Sequence, residues 1–207
     1  MGITIRVKYE KNDEVKYVGH LDTMRTFVRC LKRTNIPLEY SKGFNPRIQI
    51  SFALPLGVGV TSKCEFFDLT LENKMNIDIF LSELNSTLPD GFRVVEASYP
   101  EGKKSLMSLV KEAVYEITIN DEIDFEKVEG LFNQDEIIIE KKTDKGVSNK
   151  NIKEGILDFE INKNLYTFHV TAGSNDNVNP NSIIEAISKY VQPVIDFEIC
   201  RKELIIL

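Results

Sequence analysis

Residues 48–71, IQISFALPLGVGVTSKCEFFDLTL, decide the fold. Ile48, Ile50 and Phe52 alternate with Gln49 and Ser51, CEFFDLTL forms a second strand-like run, and LGVGVTSK lies between them. Period-two alternation marks a half-buried strand, and a proline and glycines between two such runs mark a reversal of the chain. The stretch therefore reads as a hairpin, with Gly57 and Gly59 expected at positive φ. Arg47 is expected to share the polar side of the first strand with Gln49 and Ser51.

A helix is expected on either side of this hairpin. Upstream, residues 20–34 carry Leu21, Met24, Phe27, Val28 and Leu31 at helical spacing, and ITIRVKY (3–9) alternates as a strand. Downstream, NIDIFLSELNSTL (76–88) places Ile77, Phe80, Leu81, Leu84 and Leu88 on one face after a capping Asn76, and FRVVEASY (92–99) is a further strand. The order β-α-β-β-α-β is the ferredoxin-like pattern.

After the polar joint PEGKKS (100–105) the order begins again. It runs through strand AVYEITI (113–119), a short helix from Asp124 to Phe132, and strand EIIIEKK (136–142). A lysine, glycine and asparagine loop at 141–153 leads to strands GILDFEI (155–161) and LYTFHVT (165–171). A helix opening at Asn179-Pro180 and the strand DFEICRKELII (196–206) complete it. The expected fold class is α+β: two tandem ferredoxin-like (βαββαβ) units, the second with an extra hairpin. The domains are 1–100 and 101–207, with the boundary within 99–111.

Composition narrows the function classes. With 207 residues, 42% hydrophobic and 28% charged, the chain can bury a sizeable core and is neither disordered nor fibrous. No apolar run reaches the roughly 20 residues of a membrane span, and the N-terminus lacks the apolar stretch of a signal peptide, so a soluble cytoplasmic protein is expected. Cys30, Cys64 and Cys200 are far apart in apolar contexts and read as free thiols; no metal site or cofactor is expected.

Charge is unevenly distributed. Between Gly19 and Lys63 seven cations (Arg25, Arg29, Lys32, Arg33, Lys42, Arg47 and Lys63) meet only Asp22 and Glu39, a balance of +5 in a chain of net charge −6, which leaves −11 elsewhere. Such a pattern suits binding of an anion at one place. On a helix from His20, the cations Arg25, Arg29, Lys32 and Arg33 share about a quarter of the circumference beside the apolar arc. The alternative is a solvated surface with Asp22 paired to Arg25 or Arg29. The following loop adds Lys42, Asn45 and Arg47 to the cations and Tyr40 and Phe44 as rings able to stack on a base.

His20 precedes the helix and Asp22 lies in its first turn, a placement that allows a general base or a packing residue. His169 has no carboxylate or cysteine near it in sequence at a ligand spacing and is assigned no role. No nucleophile elbow, P-loop or zinc-helix signature is present.

The stretch from Tyr17 to Leu71, with GHLDTMR (19–25) and YSKGFNPR (40–47) as its most specific parts, resembles an uncharacterised radical-SAM-associated family. That domain also occurs fused behind radical SAM proteins with a cobalamin-binding-like domain. The matching positions are His20, Leu21, Asp22, Arg25, Arg29, Ser41, Gly43, Phe44, Asn45, Pro46 and Pro55. What the resemblance implies is a radical SAM protein as partner. Since this chain has no cluster-binding cysteine motif, the implied role is substrate binding rather than radical chemistry. Stand-alone members lie near genes for an E/G-type ribonuclease and ribosomal proteins, which points toward tRNA or rRNA.

The expected function is thus a non-catalytic accessory protein that binds RNA through Arg25, Arg29, Arg33, Tyr40, Lys42, Phe44, Asn45 and Arg47. The rivals are a metal-free endoribonuclease using His20, by architectural analogy with CRISPR repeat-processing enzymes, and a module that docks the radical SAM partner without RNA.

Overall fold

The first strand, β1 (Ile3–Lys11), forms because every second residue is apolar: Ile5, Val7 and Tyr9 are buried. A computed structural model describes residues 2–102, 104–143, 146–173 and 177–207, and only the backbone of residues 141–143 and 147. The chain divides into two compact units, Met1–Val110 with Ile206–Leu207, and Lys111–Ile205. The first unit thus extends beyond residue 100, and Lys103 of the PEGKKS joint lies outside the described residues.

In the first unit β1 is followed by α1 (His20–Leu31), β2 (Ile50–Phe52), β3 (Val60–Leu71), α2 (Ile77–Asn85), β4 (Phe92–Ser98) and the single turn α3 (Leu106–Leu109). β1 pairs antiparallel with β3 and with β4. Leu69 of β3 faces Ile5 on one side and Ile50 of β2 on the other, so the order is β4-β1-β3-β2. Phe27 and Leu31 of α1 and Phe80 and Leu84 of α2 pack with Ile5, Phe67 and Leu69 in one core. At its centre the Phe27 ring lies 4.7 Å from Tyr9 and 5.2 Å from Phe67. The expected cap at Asn76 is present, its side chain accepting from the Ile79 amide at 3.1 Å.

Three expectations for this unit need correction. Leu21 is 64% exposed; the buried stripe of α1 is Thr23, Phe27, Cys30 and Leu31, which a count of aliphatic residues passes over because it includes a threonine and a cysteine. The strand expected at 48–55 is only Ile50–Phe52, since Ile48 bridges Tyr40 and Pro55 supplies no amide. Of the two glycines in the reversal, Gly59 takes a positive φ of 82° and Gly57 does not.

The second unit contains β5 (Val110–Ile119), α4 (Phe125–Phe132), β6 (Ile138–Thr143), β7 (Gly146–Asn151), β8 (Ile156–Asn162), β9 (Leu165–Thr171), α5 (Pro180–Tyr190) and β10 (Phe197–Ile206). Its strand order is β10-β5-β9-β8, while β6 and β7 pair separately as a hairpin. Asp124 and Asn179 cap α4 and α5 through the Lys127 and Asn181 amides. Phe132 anchors α4 on Phe168, ring centroids 4.7 Å apart.

The loop expected over 141–153 is instead largely strand. β7 answers β6 from Ile138↔Asn151 to Thr143↔Gly146, although GVSNKN has no apolar alternation; residues 144–145 lie outside the described residues. Among the described residues no helix is long and apolar enough to cross a membrane, and Cys30, Cys64 and Cys200 are free thiols.

Candidate functional site

The loop of residues 41–47 is closed by two bonds at its neck. The Ser41 amide donates to the Arg47 carbonyl at 2.8 Å, and Ser41 Oγ accepts from the Arg47 amide at 3.0 Å. Gly43, at φ 130°, permits the sharp turn between them. The closure pushes Lys42, Phe44, Asn45, Pro46 and Arg47 into solvent, and Phe44 is fully exposed. Tyr40, at the neck, is also exposed. Among the described residues the side chains of Lys42 and Arg47 form no ion pair, so two unneutralised cations flank a bare ring.

On α1, Arg25, Arg29, Lys32 and Arg33 are all exposed. Asp22 binds Arg25, Oδ1 to Nη1 at 2.8 Å, with both groups about two-thirds in water. That is the pairing of a solvated surface, and such an exposed contact contributes little to stability. Arg29 and Arg33 have no carboxylate partner among the described residues. The net positive face of the helix is therefore carried by residues 29, 32 and 33, with Arg25 compensated.

His20 stands apart from these groups. Its ring meets Phe52 edge-on at 5.8 Å, and with Lys11, Thr23 and Glu65 it lines a small pocket of about 10 Å³. Asp22 turns to Arg25 instead, so the two candidate catalytic residues are not joined. Extended chain from Arg47 to Phe52 covers at most about 18 Å, which bounds the separation of the loop neck from the ring beside His20.

Sequence reasoning missed Lys11, which is 3% exposed and donates from Nζ to the carbonyls of Lys16 and Val18 at 3.0 and 2.9 Å. Burial pulls its pKa below the ordinary lysine value of 10.5, with the Glu65 carboxylate acting in the opposite direction. A lysine at the fifth inward position of an alternating strand was the available signal. In the second unit Glu112 Oε2 lies 2.7 Å from Nε2 of His169, a partner 57 residues away that no local spacing could announce.

A polar groove also went unread. It lies on the first unit's sheet over Thr4, Arg6, Gln49, Ser51, Asp68 and Thr70, is walled by residues 100–102 and 104–105, Leu109 and the last two residues, and has a volume of about 850 Å³. Arg6 grips Asp68 bidentately, Nε–Oδ1 at 2.8 Å and Nη2–Oδ2 at 2.9 Å. Among the described residues no cluster of histidine, cysteine and carboxylate side chains is arranged to hold a metal ion.

Residues 4–180 match the family model described as "Uncharacterized protein conserved in bacteria (DUF2344)", which covers the β1–α1 region, the 41–47 loop and most of the second unit. The chain belongs to this family. No curated protein matches it. Among solved structures it is similar to a chain of a Cbf5-Nop10-Gar1 complex, at 12% identity and a TM-score of 0.46, over 95% of this chain and 48% of that one. It is also similar to an unknown protein from Galdieria sulphuraria, at 14% identity and a TM-score of 0.29, over 97% and 99% of the two chains. This member of the family thus spans about half the length of the first of these neighbours, and at such TM-scores neither bears on its function.

Proposed function

We propose that this protein binds single-stranded RNA through the 41–47 loop and the cationic face of α1, as a non-catalytic subunit. One observation carries the reading: the fully exposed Phe44 between Lys42 and Arg47 at the tip of a closed loop. A phenyl ring left in water forgoes about 1.5–3 kcal/mol of burial, which a base stacked on it recovers. Cations on either side meet the phosphates that every strand presents, whatever its sequence. The radical SAM protein implied by the family resemblance is the proposed partner that would act on the bound RNA.

The architecture we infer is the tandem ferredoxin-like one. The orders β4-β1-β3-β2 and β10-β5-β9-β8 are each fourth-first-third-second of a βαββαβ unit once the β6–β7 hairpin is set aside. Titration of labelled oligouridine at several salt concentrations tests the RNA reading. Three phosphate contacts give a slope of log affinity on log salt of about −2. A double variant Arg29→Ala/Arg47→Ala that is folded and binds with the wild-type slope overturns it.

A second reading is favoured by a separate observation. The Gly59 amide donates to the Lys16 carbonyl at 2.9 Å, stitching together two loops that leave Tyr17 and Val58 exposed. Apolar residues gathered on a surface mark protein contact, so this ridge is the place for a partner to dock. Cleavage by His20 is the weaker alternative, because its side chain has no hydrogen-bonded partner among the described residues to orient it as a base.

A further inference from the structure

We infer that the polar groove of the first unit holds the ribose and base portions of the RNA strand anchored by the 41–47 loop, and distinguishes RNA from DNA; this rests on the RNA reading above. The placement follows from strand register. Arg6 faces Asp68 across β1 and β3, and Ser51 of β2 faces Asp68 from the other side. One step along, Thr4 faces Thr70, whose amide donates to the Gln49 carbonyl at 2.9 Å. Two rows of three polar residues thus cross the sheet side by side, on the face opposite to Ile5, Phe67 and Leu69 of the core.

The charge of the groove selects what enters it. Arg6 and Asp68 neutralise one another with side chains only 15% and 16% exposed, and the described wall residues include one lysine, Lys104, and one glutamate, Glu101. A phosphate gains little in such a place, whereas the exposed loop has free cations. After the bidentate contact Arg6 still has N–H groups to donate, Asp68 still has lone pairs, and Thr4, Ser51 and Thr70 can each donate and accept. A ribose 2′-hydroxyl, itself both donor and acceptor, and the edges of bases are the complementary groups; DNA lacks the first. The six floor residues include no aromatic ring, so stacking is left to Phe44 in the loop.

Chain continuity links the two parts. Gln49 and Ser51 follow Arg47 directly, so at most about 14 Å of extended chain separates the loop neck from the floor. The volume of about 850 Å³ lies within the usual range of roughly 300–1,000 Å³ for ligand sites. A strand held by its phosphates at the loop therefore reaches the groove with its sugars and bases.

The test uses the full chain with fluorescein-labelled oligouridine RNA and the matching oligodeoxyuridine. The wild type is expected to prefer the RNA by about tenfold, the equivalent of one well-placed hydrogen-bonded group. The variant Ser51→Ala/Thr70→Val, checked as folded by circular dichroism, is expected to lose that preference, its RNA affinity falling about tenfold further than its DNA affinity, with the salt slope unchanged. Equal binding of RNA and DNA by the wild type, or an unchanged preference in the folded groove variant, overturns the groove assignment alone. Failure of the loop variant Arg29→Ala/Arg47→Ala to change the slope overturns the RNA reading and the groove assignment with it.

Discussion

Both units interrupt the chain at the same point, between the first helix and the strand that ends the order, and they use the interruption differently. In the first unit α1 ends at Leu31 and β2 begins at Ile50; the connection bridges Leu38 to Leu71 and then turns out into solvent at 41–47. In the second α4 ends at Phe132 and β8 begins at Ile156; the connection buries Ile137, Ile139 and Ile152 in and beside the β6–β7 hairpin. There α5 clasps the hairpin, because Lys189 Nζ and Tyr190 OH both donate to the Ile138 carbonyl, at 3.1 and 2.6 Å. The first connection also buries Ile36, Leu38 and Ile48, so the contrast is confined to the middle: β6 and β7 pair with one another, whereas residues 42–47 stay exposed. The ring left in water at Phe44 is the observation on which the proposed RNA contact rests.

The sharpest way to break this comparison is to remove a ring from each side of it. Phe132→Ala, at a fully buried position packed on Phe159 and Phe168, is expected to cost about 3–5 kcal/mol of stability in urea unfolding. Phe44→Ala is expected to stay within about 0.5 kcal/mol of wild type, as exposed positions do. A Phe44→Ala loss approaching that of Phe132→Ala would mean the loop is a packed element after all.

Next in size is the effect of the same Phe44→Ala variant on binding. Loss of one stacked base is expected to weaken oligouridine binding by about 1–3 kcal/mol with little change in salt slope. Wild-type affinity in this variant would move the RNA contact off the loop tip and favour docking of a partner at Tyr17 and Val58.

How much of this was legible in the sequence depends on the distance over which the cause acts. The strands at 3–9, 92–99 and 113–119 and the caps at Asn76 and Asn179 announce themselves within a few residues, because alternation and capping are local. The bare loop was legible too, since Gly43 and Pro46 bracket Phe44. The Arg6–Asp68 grip, 62 residues apart, and the Glu112–His169 contact were not, because they exist only once strand register brings those positions together. β7 was misread for the same reason: its residues hydrogen-bond as a strand only through pairing with β6. Lys11 is the instructive middle case, a charge at an inward position whose anomaly was local and whose explanation, two carbonyls of the 16–18 turn, was not.

A smaller effect separates the two kinds of cation in the first unit. Arg47→Ala, removing a charge with no carboxylate partner among the described residues, is expected to flatten the salt slope of RNA binding by about 0.7. Arg25→Ala removes a charge that Asp22 already compensates at 2.8 Å, so a change of less than half that size is expected. Equal slopes for the two variants would show that the Asp22 contact does not persist when RNA is bound.

The smallest expected effect lies at a turn of the second unit, which a carboxylate holds where Ser41 Oγ holds the 41–47 loop. Asp121 Oδ2 accepts from the amides of Ile195 at 2.7 Å and Asp196 at 2.9 Å, and these bonds hold its carboxyl below the ordinary value of 3.8. The folded-state pKa is thus lower than the unfolded one, so the unfolded chain takes up the proton first as pH falls. The contribution is complete above the unfolded value near 3.8 and is lost as pH drops through the lower folded value. Because the carboxylate stands in water, the expected signature is local rather than global. Hydrogen exchange at the Ile195 and Asp196 amides, corrected for intrinsic rates, should lose protection in wild type below about pH 3.8. Asp121→Asn should show weaker protection at those two amides with no step in that range. A variant that keeps the wild-type step would place the titrating group elsewhere and leave the turn to be explained by backbone bonding such as that from the Asn120 amide to the Asp196 carbonyl at 2.9 Å.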